Sequence, residues 1–157
     1  MKKSLWCRTG SDKGKIVKIL MPVDGSANAQ RAVDHVIKSI AALKDTPQLL
    51  LLNVQRNVAK GNVKLFINQQ TIDDYCREQG LAALQTARDA LDAAGLSYQY
   101  HISIGKPAET IAQYANEQAV DQIVMGQQGQ GGLQLFLLGS VVNKVLRLAG
   151  QPVLLVK

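Results

Sequence analysis

The sequence predicts an α/β domain built on an open, doubly wound parallel sheet of five strands with helices on both faces. Three observations predict it. The segments "KIVKILMPV", "QLLLLNV", "DQIVM" and "PVLLV" are almost continuous apolar runs, the mark of strands covered on both faces. Between them lie stretches whose apolar residues recur with the period of an amphipathic helix. Most connections are short, and short links between alternating strands and helices require right-handed crossovers into one parallel sheet.

Taken in order, the first strand spans residues 16 to 23 and the first helix 26 to 43, with Val33, Val36, Ile37 and Ile40 as its apolar stripe. A second strand at 48 to 55 precedes a helix from about 70 to 94, whose stripe is Leu84, Ala87, Leu91 and Ala94. The third strand, 97 to 104, is different in kind. In "YQYHISI" the residues Tyr98, Tyr100, Ile102 and Ile104 share one face and Gln99, His101 and Ser103 the other, which predicts a half-exposed edge strand. A helix at 107 to 119, a strand at 121 to 125, a helix at 139 to 149 and a strand at 152 to 156 complete the chain. His101 then belongs at the edge and His35 beside a helical stripe, and neither reads as a ligand.

The 157 residues suffice for one domain with one core. Apolar residues at 46% and charged residues at 19% describe a globular protein, and no run approaches the ~18 apolar residues of a membrane span, so no membrane insertion is expected. The formal charge of +6 is concentrated: Lys2, Lys3, Arg8, Lys13 and Lys15 against Asp12 put +4 in the first 15 residues. Residues 1–14 lack an apolar segment after their basic start and read as a disordered arm rather than a signal peptide, with residues 15–157 as the domain. The arm is either a solvated tail or a contact for an anionic partner. Nucleic acid is disfavoured, because one Trp and scattered lysines form neither a recognition helix nor a stacking surface. Cys7 and Cys76 lack the spacing of a zinc or redox pair, no cluster of Cys, His and carboxylate suggests a metal site, and the cytoplasm is the expected compartment.

Two connections exceed the usual 2 to 6 residues. One runs from Arg56 to Gln70 and is either functional or a mobile insertion; the other is the glycine-rich segment after the fourth strand. Both leave the carboxyl ends of strands, where ligands gather in such sheets. The glycine-rich segment is no P-loop, since no lysine follows its glycines, and GxGxxG fails at Gln134. What it does contain, between Met125 and Val141, is Gly126, Gly129 and Gly139 followed by Ser140, in the spacing G-x2-G-x9-G-[ST]. Gly126 and Gly129 admit backbone close to a sugar and phosphates. Gly139 and Ser140 stand where a helix amino terminus offers unpaired N–H groups to phosphate oxygens. The alternatives are a flexible "QQGQGG" linker, and for Ser140 a capping role alone.

This pattern resembles the universal stress proteins of the nucleotide-binding type. The resemblance rests on "MGQQGQGGLQLFLLGSVVNKVL", on "KILMPVDGSANAQRAV", on "GKPAETIAQYA" and on the closing "QPVLLVK", and it covers most of residues 15 to 157. It implies a Rossmann-like sheet of order 3-2-1-4-5 that binds ATP or another adenine nucleotide, with or without Mg, and pairs into dimers. Asp24 would then lie beside the adenine and ribose, Pro22 and Val23 would wall the pocket, and Val54 would offer backbone to the base. Locally, the aspartate of "DGS" is equally able to organise the turn before a helix capped by Ser26. The short apolar "PVLLV" leaves an end strand bare unless a second copy or the chain's own tail covers it.

One departure from the family pattern matters. Where members carry a histidine or arginine in the loop and a basic residue after it, this chain has Gln128, Gln130 and Gln134. Affinity for the triphosphate is therefore expected to exceed that for AMP or ADP only slightly, and ATP bound more than about a hundredfold tighter would contradict this. Lys106 is expected in solvent, and Glu109 in the first turn of a helix, where a carboxylate suits the dipole. No arginine finger, carboxylate pair or positioned histidine equips the chain for rapid phosphoryl transfer, so very slow ATP hydrolysis or autophosphorylation is the most that is expected. The reading is a dimeric adenine-nucleotide-binding stress-response regulator with an unidentified protein partner. The alternatives are a relative that has lost the nucleotide and serves as an interaction module, and a nucleotidyl-transfer enzyme on a similar sheet.

Overall fold

The structure is a computed structural model and describes residues 16–56, 68–130 and 138–157. The basic arm lies outside the described residues, as do the middle of the first long connection and the centre of the glycine-rich one, Gln134 included. Among the described residues the elements run β1 (Lys18–Pro22), α1 (Ala27–Ile40), β2 (Gln48–Gln55), α2 (Gln69–Ala93), β3 (Tyr98–Ile104), α3 (Pro107–Glu117), β4 (Gln122–Gly126), α4 (Ser140–Leu148) and β5 (Val153–Val156). All strand pairs are parallel, in the order β3-β2-β1-β4-β5. This is the sheet the sequence predicts.

The apolar runs are continuous because alternate residues feed two separate cores. On one face Ile19, Met21, Leu49 and Leu51 pack with Val33 and Val36 of α1 and Leu84 and Leu91 of α2. On the other, Leu20, Leu50, Leu52 and Ile123 pack with Ile111 and Ala115 of α3 and Val142 and Val145 of α4. Each leucine so enclosed is worth about 1.5–3 kcal/mol relative to exposure. A polar residue at any of these central positions would break one layer.

Where the boundaries differ from expectation, exposure explains the difference. Ile16 and Val17 are 66% and 49% exposed, so the run beginning at residue 16 enters the sheet only at Lys18. Helix α1 stops at Ile40 rather than residue 43, and Leu43 stands out in solvent. Ala94, expected in the apolar stripe of α2, is instead the exposed C-cap of that helix.

Strand β3 is an edge, as its alternation predicts, but its apolar face is only partly used. Tyr98 and Ile102 pack on the α1–α2 core, whereas Tyr100 and Ile104 are 46% and 39% exposed. The Tyr100 ring carries the guanidinium of Arg88 at 4.8 Å, and His101 stacks on Tyr114 of α3 with centroids 5.4 Å apart. His101 and His35 are both exposed, as the sequence suggests.

Candidate functional site

The sheet reverses its winding between β1 and β4, and the carboxyl ends of these strands with that of β2 open onto one cleft of about 850 Å³. That volume suits a small molecule of nucleotide size. Its walls include Pro22, Val23 and Asp24 at and just after the end of β1, Val54 near the end of β2, Met125 and Gly126 at the end of β4 with Gly129 beyond it, and Gly139, Ser140 and Val141 at the start of α4. All ten residues singled out in the sequence therefore border the same space. A second depression, against Asp92, Gly95, Tyr98 and Tyr100 at the open edge of β3, contains none of them.

The glycines are needed first by the protein itself. A Cβ on Gly126 would lie 2.5 Å from the backbone carbonyl of Asn28, so β4 and the first turn of α1 approach as closely as they do only because residue 126 has no side chain. A Cβ on Gly129 would lie 2.5 Å from Asp24 Oδ2, and one on Gly139 would lie 3.2 Å from the Gln128 Cα. The Gly139 amide donates to the Gln127 carbonyl at 2.9 Å, which brings the two ends of the glycine-rich segment together.

Asp24 holds this arrangement. Its Oδ1 accepts from the Ser26 amide at 3.0 Å, while Ser26 Oγ accepts from the Ala29 amide at 3.2 Å and caps α1. This is the turn-organising role that "DGS" suggests, and Gly25 supplies the φ of +82° that the turn requires. Asp24 Oδ2 accepts from the Gln130 amide at 3.0 Å, and Gln130 Nε2 donates to the Asp24 carbonyl at 2.6 Å. One carboxylate thus joins the end of β1 to the glycine-rich segment, and each oxygen keeps lone-pair capacity toward the cleft.

At the start of α4 the N-cap is Gly139, with no side-chain cap, and Ser140 is the first helical residue. Capping therefore does not explain Ser140. Its hydroxyl is exposed at a helix end whose first amides have no partner within the helix. Asn143 fastens the preceding turn through Nδ2 to the Leu138 carbonyl at 3.0 Å.

The charge on the lining is small. Among the described residues bordering the cleft, Asp24 and Arg56 are the ionisable side chains. Arg56 is a cation that the sequence reading passed over as the first residue of a long connection. Lys144, near the start of α4, pairs at 2.6 Å with Glu109 of α3 and is not among the lining residues. The hydrogen bond from Lys144 holds the Glu109 carboxyl below the ordinary carboxylate range. Glu109 lies in the first turn of α3 and Lys106 is exposed, both as expected.

Sequence reasoning also missed Asn53 and Gln55, which border the cleft from β2. Asn53 is only 2% exposed, donates from Nδ2 to the Val23 carbonyl at 2.7 Å and accepts at Oδ1 from Gln55 Nε2 at 2.7 Å. The available signal was two amides at alternate positions after the four leucines of "QLLLLNVQ".

Comparison with known proteins gives a consistent result. A model of the universal stress protein family matches residues 15–157. Universal stress protein YxiE of Bacillus subtilis is 31% identical over 147 residues, covering 89% of this chain and 98% of the relative. The structure of MJ0577, a universal stress protein of Methanocaldococcus jannaschii, is 30% identical and superposes with a TM-score of 0.77 over 90% of this chain and 95% of that one. Two more distant structures share the fold with a nucleotide present. One is a universal stress protein in complex with cAMP, at 23% identity and TM-score 0.66 over 90% and 97% of the two chains. The other is an Arabidopsis thaliana family member with AMP bound, at 20% identity and TM-score 0.62 over 90% and 91%.

Proposed function

Because this chain belongs to the universal stress protein family, we propose that its cleft binds an adenine nucleotide and that nucleotide occupancy sets the partner or conformation of a stress-response regulator. ATP, ADP or AMP is the ligand, with or without Mg. The observation that carries the reading is the convergence of ten residues from three separate stretches of chain on one cleft of nucleotide size at the switch point of the sheet. The cAMP and AMP complexes of the two distant neighbours agree with it.

In this reading Pro22 and Val23 wall the base, Val54 offers it backbone, and Asp24 serves the ribose side. Gly129, Gly139, Ser140 and Val141 supply backbone amides and a hydroxyl to phosphate, helped by the positive end of α4. The cleft is proposed to bind rather than to transform. The carboxylate of Asp24 already accepts two backbone amides, and Arg56, just after β2, is the one cation on the described lining. Any hydrolysis or autophosphorylation would be very slow.

The protein is further proposed to act in the cytoplasm as a homodimer formed through β5. That strand ends the sheet, and Leu154 on it is 37% exposed, which favours cover by a second copy. Among the described residues no helix is long and apolar enough to cross a membrane.

A second reading, a binding module that no longer takes nucleotide, draws support from Gln130, whose amide group and backbone both engage Asp24. Thermal unfolding separates the two. A ligand at about 100 times its Kd adds ~2.7 kcal/mol, or roughly 5–10 °C in Tm for a domain of this size. An unchanged Tm at millimolar AMP and Mg-ATP would leave only the interaction module.

A further inference from the structure

The buried amide of Asn53 has a consequence for the cleft surface. A buried polar side chain must find partners for both its oxygen and its nitrogen, and Asn53 does so in a way that fixes direction. Its Nδ2 lies 2.7 Å from the Val23 carbonyl, which only accepts, so the nitrogen must face that way. Asn53 Oδ1 is then the group facing Gln55, and at 2.7 Å it accepts a hydrogen bond from Gln55 Nε2. Gln55 in turn is forced to point its nitrogen inward. Among the described residues its Oε1 and its second Nε2 proton remain as an acceptor and a donor, on a half-buried residue bordering the cleft beside Val54. The backbone of Gln55 is held as well, since its carbonyl accepts from the Gly105 amide at 2.8 Å.

We propose that Gln55 is a specificity-determining residue of this cleft, reading the 6-amino edge of adenine through the carboxamide orientation that Asn53 imposes. A glutamine amide offers one acceptor and one donor side by side, the complement of the adenine N6–H and N7 pair, whereas a 6-oxopurine presents two acceptors there. One orientation of a glutamine amide matches adenine at both groups, whereas either orientation sets its oxygen against an acceptor of a 6-oxopurine. Gln55 is held in a single orientation, because rotation would set its oxygen against Asn53 Oδ1 and leave a buried acceptor unpaired. The chain Val23 carbonyl, Asn53, Gln55 thus carries a preference from the interior of the sheet to the ligand.

The proposal rests on the adenine-nucleotide reading of the cleft, and one experiment tells the two failures apart. AMP and IMP differ at the 6-position and share ribose and phosphate, so their Kd values are compared by calorimetry on the intact protein and on Gln55→Met and Gln55→Glu. The wild type should favour AMP by about tenfold or more, and Gln55→Met should bring that ratio down by about tenfold while AMP still binds. Gln55→Glu puts an oxygen in place of Nε2 and so loses the bond to Asn53 Oδ1 as well as the donor toward the ligand; both nucleotides should bind more weakly, IMP the more so because it meets the carboxylate with two acceptors, which widens the ratio. It gives an independent reading if the Met variant does not fold. Unchanged ratios in the variants, with AMP still bound, would overturn the role of Gln55 and leave the site intact. If the wild type bound neither nucleotide, both readings would fall.

Discussion

At the scale of single residues, the glycine-rich segment has two layers of meaning. Its spacing points to a phosphate-binding loop, yet the nearest neighbours of the missing side chains are protein atoms: Asn28 for Gly126, Asp24 for Gly129 and Gln128 for Gly139. The glycines shape the cleft by letting β4, α1 and the loop close on one another, and the cleft is what a ligand would meet. Gly126→Ala tests this directly, because its methyl would stand 2.5 Å from a backbone carbonyl that cannot rotate away. Overpacking of this kind costs about 1–3 kcal/mol, which denaturant unfolding would register as a lowered midpoint at unchanged slope. A neutral substitution would mean that α1 yields freely and that Gly126 is not fixed by packing. Such spacing was legible in the sequence because only glycine leaves so plain a mark. Asn53 and Gln55 were not legible, since a polar residue inside an apolar strand looks the same whether it faces solvent, a partner amide or a ligand.

At the scale of elements, the ends of α2 and α3 show why some boundaries could be read and others not. Both helices close with the same pair of bonds. In α2 the Gly95 amide donates to the Asp92 carbonyl and the Leu96 amide to the Leu91 carbonyl, while in α3 Ala119 donates to Asn116 and Val120 to Ala115. This is the Schellman arrangement, which needs a left-handed residue just past the helix. Gly95 takes it at φ +67°, and its presence in "DAAGLS" announces the stop; α3 uses Ala119 at φ +49°, so nothing in "NEQAVD" marks the end and the helix reads two residues too long. An alanine so held costs about 1–2 kcal/mol relative to right-handed backbone. Ala119 is exposed, and its methyl has little packing to lose. Ala119→Gly should therefore stabilise the protein by about 0.5–1 kcal/mol, measured as a rise in the denaturant midpoint. A loss of stability would show that chain entropy outweighs the strain at this position.

At the scale of the whole molecule, the alternation of elements determines the sheet order, and the sheet order places the cleft. Apolar runs enclosed on both faces force a parallel sheet, right-handed crossovers put α1 and α2 on one side and α3 and α4 on the other, and the reversal between β1 and β4 opens a gap at their carboxyl ends. Composition alone could not supply the electrostatics of that gap. Arg56 turned up on its lining and Lys144 was withdrawn into a pair with Glu109, facts that depend on where side chains meet across elements distant in sequence. The central claim is that the residues gathered there hold an adenine nucleotide. Titration of AMP into isotopically labelled protein, followed by amide chemical shifts, tests it most directly. The account predicts saturable shifts concentrated at Asp24, Val54, Gly129, Ser140 and Val141. Saturable shifts confined to another surface, or none at millimolar AMP, would contradict it.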